Sequence, residues 1–443
     1  MLKPQDNELL CRVEGEAPMG AVMREVWLPA CMSEEVAEPD GAPVRSRLLG
    51  QDLVVFRDSK GRLGVLDEHC PHRGASLAFG RNEACGLRCL YHGWKFGVDG
   101  EVLDMASEPE DSPLRRNLKA RAYPVREAGG FVWVWLGEAD AAADFRQPAW
   151  APTPDTRISI VKIHAACNWA QVLEGSIDSA HSSSLHSTNM PAAMVSGSTA
   201  RDGAWLRPSN DKAPRLEIEE TDFGFHYAAL RKPLVDPEHT VYVRTTLFVA
   251  PFTVLIPPND RYKLAQMLVP IDDVNTMFYW IAWHETGGIG QDEWRAFCQA
   301  RPGIELDADW RKRRNLENRY LQDRAAMKRG DFTGIGGIPT QDMAMWESMG
   351  PIADRTVEHL GASDLAITQF RRQMLTAARR VRDGGKALKP GAARGALASF
   401  EGITDKSVDW RTLGGDTAPA SLGAHGRSGL SGANKLMSQR AEQ

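Results

Sequence analysis

At 443 residues the chain is too long for one small core, and two domains are the natural expectation. Its 42% hydrophobic and 25% charged residues are ordinary for a globular enzyme, and a net charge of −5 offers no attraction to nucleic acid or to an anionic membrane. Met1 to Glu8 carries charges and Pro4 where a signal peptide needs an apolar run, and the longest apolar stretch, near Leu247 to Ile256, is short and broken by Pro251, so no membrane span and a cytoplasmic location are expected.

From about Arg45 to Gly137 the pattern is β-rich. Leu53 to Phe56, Leu63 to Leu66 and Phe131 to Leu136 read as strands, separated by the turn signals Asp58-Ser59-Lys60-Gly61, Asp99-Gly100 and Gly129-Gly130. Ala139 to Pro154, rich in Ala, Asp and Pro, reads as a linker. Beyond it Arg157 to His164 is strand-like, Asn168 to His181 has helical periodicity, and strand-like segments run from about Leu216 to Trp283. A short helix is expected near Gln341 to Met349. A longer one runs from Asp364 to Arg382, with Phe370, Met374, Ala378 and Val381 along one face. After Gly384 the chain turns rich in Gly, Ala, Ser and Lys, the texture of a segment that wraps the surface or stays mobile.

Seven cysteines (Cys11, Cys31, Cys70, Cys85, Cys89, Cys167, Cys298) are an odd, scattered set, which argues for reduced thiols, some of them holding metal, rather than a disulfide framework. Cys70-Pro71-His72 is followed after sixteen residues by Cys89-Leu90-Tyr91-His92. Each half offers one thiolate and one imidazole at the tip of a loop between expected strands. A Rieske [2Fe–2S] cluster needs this division, two thiolates on one iron and two neutral imidazoles on the other. Gly74 and Gly93-Trp94 follow the two halves, where tight turns would wrap a cluster. A structural zinc site is the bland alternative, but it usually draws both cysteines from one loop, which this spacing does not do. His69 and Cys85 lie outside the spacing and read as non-ligands.

A second constellation runs from Glu174 to His186. On a continuous helix Glu174, Asp178 and His181 fall at i, i+4 and i+7 and share a face. His186 would then point away, and the run Ser182-Ser183-Ser184, poor in helix propensity, suggests a break that swings it back. Two imidazoles plus one carboxylate, with positions left open, is the facial triad of non-heme Fe(II) oxygenases. Asp342, in Ile338-Pro339-Thr340-Gln341-Asp342-Met343, is the chosen third ligand. Its bland reading is an acid in a first helical turn, favoured by the helix dipole, and Asp331 and Asp354 are competitors.

The segments H-C-P-H-R-G-A-S-L, R-C-L-Y-H-G-W-K-F, C-N-W-A-Q-V-L-E-G-S-I-D-S-A-H-S-S-S-L-H and I-P-T-Q-D-M-A resemble those of the α subunits of Rieske ring-hydroxylating oxygenases, most closely the phthalate dioxygenase branch. The likeness runs from roughly Asn7 to Leu375. It implies an α+β chain: a β-rich Rieske domain over 20–145, and a helix-grip catalytic domain with an antiparallel sheet over 1–19 and 146–443. It implies that Cys70, His72, Cys89 and His92 hold the cluster and that His181, His186 and Asp342 hold a mononuclear Fe(II). It further implies a trimeric ring, single or stacked as a hexamer, with Asp178 bridging His92 of the partner subunit to its own His181 for electron transfer.

The implied reaction is cis-4,5-dihydroxylation of phthalate or a similar aromatic carboxylate by O₂. No G-x-G-x-x-G follows a strand, so electrons are expected from a separate NADH-dependent reductase with flavin and iron–sulfur. A dicarboxylate needs cations in an otherwise apolar pocket. Arg244, on the strand-like run Val241 to Val249 with Tyr242, Thr246 and Phe248 on its face, and Arg207 are the candidates. The other reading of each is an exposed arginine whose stem covers the sheet. Competing functions are a Rieske monooxygenase or O-demethylase acting on another aromatic acid, a pure electron carrier, and a zinc-stabilised binding protein.

Overall fold

The computed structural model describes residues 1–138, 142, 144–192, 205–259, 261–387 and 396–417. It is a mixed α+β chain in which all of the paired strands are antiparallel. The β-rich region carries three small sheets. One joins Val44–Leu48, Gln51–Arg57 and Leu63–Asp67; a second joins Arg81–Glu83, Gly86–Arg88, Trp94–Phe96 and Val102–Met105; the third joins Leu28–Met32, Phe131–Val134 and Val125–Ala128.

The unbroken apolar run Leu53 to Phe56 is explained by burial on both faces. Val54 and Phe56 face a compact core with Leu66, Trp94 and Phe96 that also contains Cys70 and Cys89. Leu53 and Val55 alternate to the other side and join the large core that continues into the second half of the chain. The expected turn after Arg57 forms as read: Asp58 Oδ1 accepts from the N–H groups of Lys60 and Arg62, and Gly61 has φ +77°.

The second half is built on an eight-stranded sheet. Its strands, numbered along the chain within this sheet, are β1 (Arg157–Ala165), β2 (Arg215–Thr221), β3 (Gly224–Arg231), β4 (Thr240–Val249), β5 (Thr253–Ile256), β6 (Lys263–Pro270), β7 (Thr276–His284) and β8 (Glu401–Asp405). The spatial order is β1-β7-β6-β5-β4-β3-β2, and β8 pairs with β4. The helix Trp169–Ile177 packs on the sheet, its first turn capped by the Asn168 side chain accepting from Ala170 N–H. The long helix Leu365–Arg382 buries Phe370, Met374 and Ala378, the expected face. Phe370 meets Trp169 and Phe248 edge-on at 5.7 and 5.4 Å.

Three expectations need correction. The helix expected over Asn168 to His181 ends at Ile177, because the Asp178 side chain accepts from the N–H groups of Ala180 and His181 and draws the backbone out of helical geometry. The linker is not loose: Trp150 is buried against Trp133 and donates to Gly129 O, and Phe145 packs on Trp27, while 139–141 and 143 lie outside the described residues. The tail does more than cover the surface, since Glu401–Asp405 enters the main sheet; 388–395 and 418–443 lie outside the described residues. No helix among the described residues is long and apolar enough to cross a membrane.

Candidate active site

Two loops of the β-rich region are built alike. Cys70 O accepts from Gly74 N–H at 2.8 Å and Cys89 O accepts from Gly93 N–H at 3.1 Å, with φ +75° and +76° at the two glycines. Each turn therefore needs a residue that enters left-handed backbone cheaply, and each carries its Cys at the first position and a His at the third or fourth. The loops face each other. The His72 and His92 rings lie 4.4 Å apart, His72 stacks on Trp94 at 4.1 Å, and the Cys70 and Cys89 thiols are near enough to interact. Burial pushes the Cys70 thiol up to about 11, so its proton has to leave before it can act as a thiolate ligand. His72 Nδ1 is buried without a hydrogen-bond partner, the mark of a donor set with a ligand to serve. Leu90 and Tyr91 stand exposed at the tip. His69 Nδ1 is engaged with Gly74 O, and Cys85 sits in the hairpin turn between Glu83 and Gly86.

The second constellation converges in a cavity. His181 Nε2 lies 3.1 Å from His186 Nε2, and Asp342 Oδ1 lies 3.6 Å from the first and 3.0 Å from the second. Ligands at right angles on an ion with bonds of about 2.1 Å stand roughly 3 Å apart, so the set fits a first-row divalent metal. Asp342 Oδ1 is buried and has no hydrogen-bond partner. Asp342 is the fifth residue of the helix Ile338–Ser348, not in its first turn, so the dipole does not account for it. Asp331 and Asp354 are occupied instead with local turns, at Thr333 and Gly334 and at Thr356.

The far nitrogens of both imidazoles are braced. Asp178 Oδ2 lies 3.5 Å from His181 Nδ1, and His186 Nδ1 meets Gln341 Oε1 at 2.7 Å, which turns both Nε2 atoms inward. Burial alone would push the His181 imidazole down; the neighbouring carboxylates of Asp178 and Asp342 outweigh it and hold His181 above its ordinary value. Gln341 was missed in the sequence, where its only signal is adjacency to Asp342.

Glu174 does not share a face with Asp178 and His181, as a continuous helix would require. The chain leaves the helix at Asp178, and Glu174 points instead to Arg355 (Nε–Oε1 2.9 Å) and Arg371 (Nε–Oε1 2.7 Å). The break that returns His186 comes at Asp178 to Ala180, ahead of the serine run.

Arg207 and Arg244 are both buried and both line the cavity with His181, His186 and Asp342. The exposed-arginine reading is thereby excluded. Arg207 donates to Ser182 Oγ at 2.9 Å, and Arg244 Nε lies 3.3 Å from Glu401 Oε2. A third buried arginine, Arg231, was missed; it donates to Ser179 O at 2.8 Å and so fixes the turn between Asp178 and His181. Among the described residues neither Arg207 nor Arg231 is paired with a carboxylate. Burial and the charge of Arg244 accordingly push Arg207 down to about 9 and Arg231 down to about 10.

A Rieske [2Fe-2S] domain family matches residues 26–122, and the family described as LigXa C-terminal domain like matches residues 134–425. This chain belongs to the Rieske oxygenases. It is 56% identical over 93% of its length to the phthalate 4,5-dioxygenase oxygenase subunit of Pseudomonas putida, covering 94% of that protein. It is 37% identical over 93% of its length to the 3-chlorobenzoate-3,4-dioxygenase oxygenase subunit of Comamonas testosteroni, covering 98% of that protein. In fold it is similar to the terminal oxygenase of carbazole 1,9a-dioxygenase from Nocardioides aromaticivorans IC177, with a TM-score of 0.56 at 18% identity over 86% of this chain and 97% of that one. This Rieske oxygenase is thus an oxidoreductase, the oxygenase subunit of a multicomponent system, with a [2Fe–2S] cluster and a mononuclear iron as cofactors.

Proposed function

We propose that this Rieske oxygenase is the terminal component of a phthalate 4,5-dioxygenase-type system. Phthalate, O₂, two electrons and two protons give the cis-4,5-dihydrodiol, with both oxygen atoms entering the ring. The observation that carries the substrate class is the pair Arg207 and Arg244, buried in the same cavity as His181, His186 and Asp342. Arg207 is buried without a carboxylate partner among the described residues, which is costly, and a substrate carboxylate seated on its fork removes that cost. The 56% identity to a phthalate 4,5-dioxygenase oxygenase subunit supports the same choice.

In this reading Cys70, His72, Cys89 and His92 hold the cluster, and His181, His186 and Asp342 hold the mononuclear iron. When bound, the cluster stores and passes single electrons, and the mononuclear iron is where dioxygen is reduced. The chain's own residues do the rest. Arg207 and Arg244 orient the ring through its carboxylates, Trp205 and Trp280 give the cavity apolar walls, and Asp178 keeps the His181 ring in one orientation. Asp178 also serves as the bridge by which electrons arrive from the cluster of a neighbouring subunit. That role belongs with a homotrimeric ring, single or stacked as a hexamer, fed by an NADH-dependent flavin and iron–sulfur reductase. Residues 20–145 act as the electron-receiving domain, and 1–19 with 146–443 as the catalytic one.

Turnover with phthalate, a surrogate reductase and ¹⁸O₂ tests the proposal. A cis-dihydrodiol carrying two labelled atoms is expected. A singly labelled phenol, or an aldehyde released from a methoxylated acid with phthalate left untouched, would place the enzyme among the monooxygenases and O-demethylases.

A further inference from the structure

The geometry points to Glu401 as the residue that sets Arg244 in place for a substrate carboxylate, a positioning residue delivered to the pocket by the C-terminal chain. This rests on the dicarboxylate reading above. Strand β8 runs antiparallel to β4 with Glu401 directly opposite Arg244 and Ile403 opposite Tyr242. Residues directly opposite on paired strands project to the same face, and Tyr242 shares that face two residues from Arg244. Glu401 uses both oxygens there: Oε2 lies 3.3 Å from Arg244 Nε, and Oε1 accepts from the Tyr242 hydroxyl.

Glu401 thus faces the Nε edge of the guanidinium from behind as an ion pair, with Nε itself buried and making no hydrogen bond. Among the described residues its two terminal nitrogens have no hydrogen-bond partner, and Arg244 lines the cavity of the three converging ligand atoms. That free edge is the fork a carboxylate takes with two parallel hydrogen bonds. Arg207 and Arg244 also wall a smaller recess that Glu401 lines and the ligand atoms do not. Glu401 therefore stands behind the two cations rather than between them and the iron site. Of the two arginines that line the cavity, Glu401 answers Arg244 and leaves Arg207 without a carboxylate partner among the described residues. Holding Arg244 by its back edge also limits the swing of a side chain that otherwise loses much rotamer freedom on binding.

The test uses the iron-loaded enzyme with phthalate, measuring Kd and the steady-state constants for Glu401→Ala, Glu401→Gln, Arg244→Ala and the Arg244→Ala/Glu401→Ala double variant. The Rieske EPR signal reports that each is folded. Glu401→Ala should raise Kd on the order of tenfold, the scale of a lost hydrogen bond to a charged group, with the loss falling on KM more than on kcat. Glu401→Gln should recover part of it, because an amide oxygen of the same reach still accepts from the Tyr242 hydroxyl and faces Arg244, though without the charge. With Arg244 already replaced, removing Glu401 should change Kd no further. Binding unchanged or tightened in Glu401→Ala, a Gln variant as weak as the Ala variant, or additive losses in the double variant would each overturn the assignment. Failure of the native enzyme itself to bind phthalate would overturn the substrate reading and this inference with it, whereas native binding with an unaffected Glu401→Ala variant overturns this inference alone.

Discussion

Two clusters of buried arginine meet the segment from Glu174 to Ser179, and the chain treats them in opposite ways. Arg355 and Arg371 converge on Glu174, and Glu358 and the Asn7 side chain take up their remaining donors. Arg207, Arg231 and Arg244 share one carboxylate, Glu401, and the first two rely on serine hydroxyls and a carbonyl. Burial is similar in the two clusters, and neutralisation is not. A buried charge answered from within the chain is scaffold, here tying the N-terminal helix and the long C-terminal helix to the helix that leads into the iron site. A buried charge left open in a cavity beside metal ligands has an anion to receive.

Removing a counter-charge should hurt the first cluster most. Glu174→Ala strands Arg355, which is 1% exposed, and should cost about 3–5 kcal/mol of stability by urea denaturation. A loss below about 1 kcal/mol would erase the contrast. The same pair gives a pH dependence. Burial pushes the Glu174 carboxyl up, but Arg355 and Arg371 outweigh it and hold it below its ordinary value. Its contribution is therefore complete above the unfolded carboxyl range near pH 4.3, and is lost as pH falls below that range and through the lowered folded value. Glu174→Gln should flatten that acid limb.

The second cluster should respond with the opposite sign. Arg244→Ala should raise KM for phthalate by roughly 100-fold, and Arg207→Ala should do the same while stability holds or rises, because Arg207 is a buried cation with no carboxylate partner among the described residues. A destabilised variant with an unchanged KM would make Arg244 scaffold after all. Effects of about 10–100-fold are expected from the braces on the imidazoles. Gln341→Leu should weaken iron binding on that scale by chelator competition, since His186 loses the partner that fixes its ring. Asp178→Asn should leave both metals bound and slow cluster oxidation in a single turnover with substrate and O₂; unchanged kinetics would remove Asp178 from the electron path.

What the sequence made legible was local. The Cys–His spacing placed four side chains on two matched turns, and the strand at Leu53 to Phe56 and the apolar face of Leu365–Arg382 emerged as read. His181, His186 and Asp342 meet although 155 positions separate His186 from its partner Gln341. What stayed hidden depends on pairing between distant segments. Nothing local to Glu401 shows that it lies opposite Arg244, because register is settled only when β8 docks on β4. The exit of the chain at Asp178 was obscured because its side chain competes with the helix for backbone N–H groups, which periodicity does not register. Arg231 reads as an ordinary charge at a strand end until the turn at Ser179 is folded against it.

The most direct test is to titrate the iron-loaded native enzyme with phthalate and with benzoate, which differ by one carboxylate, and compare the two dissociation constants. With Arg207 unpaired and Arg244 presenting its free edge to the cavity, phthalate should bind roughly 100-fold more tightly, and the gap should close in the Arg207→Ala/Arg244→Ala variant. Equal affinity for the two acids in the native enzyme, or a gap that survives loss of both arginines, would contradict the account.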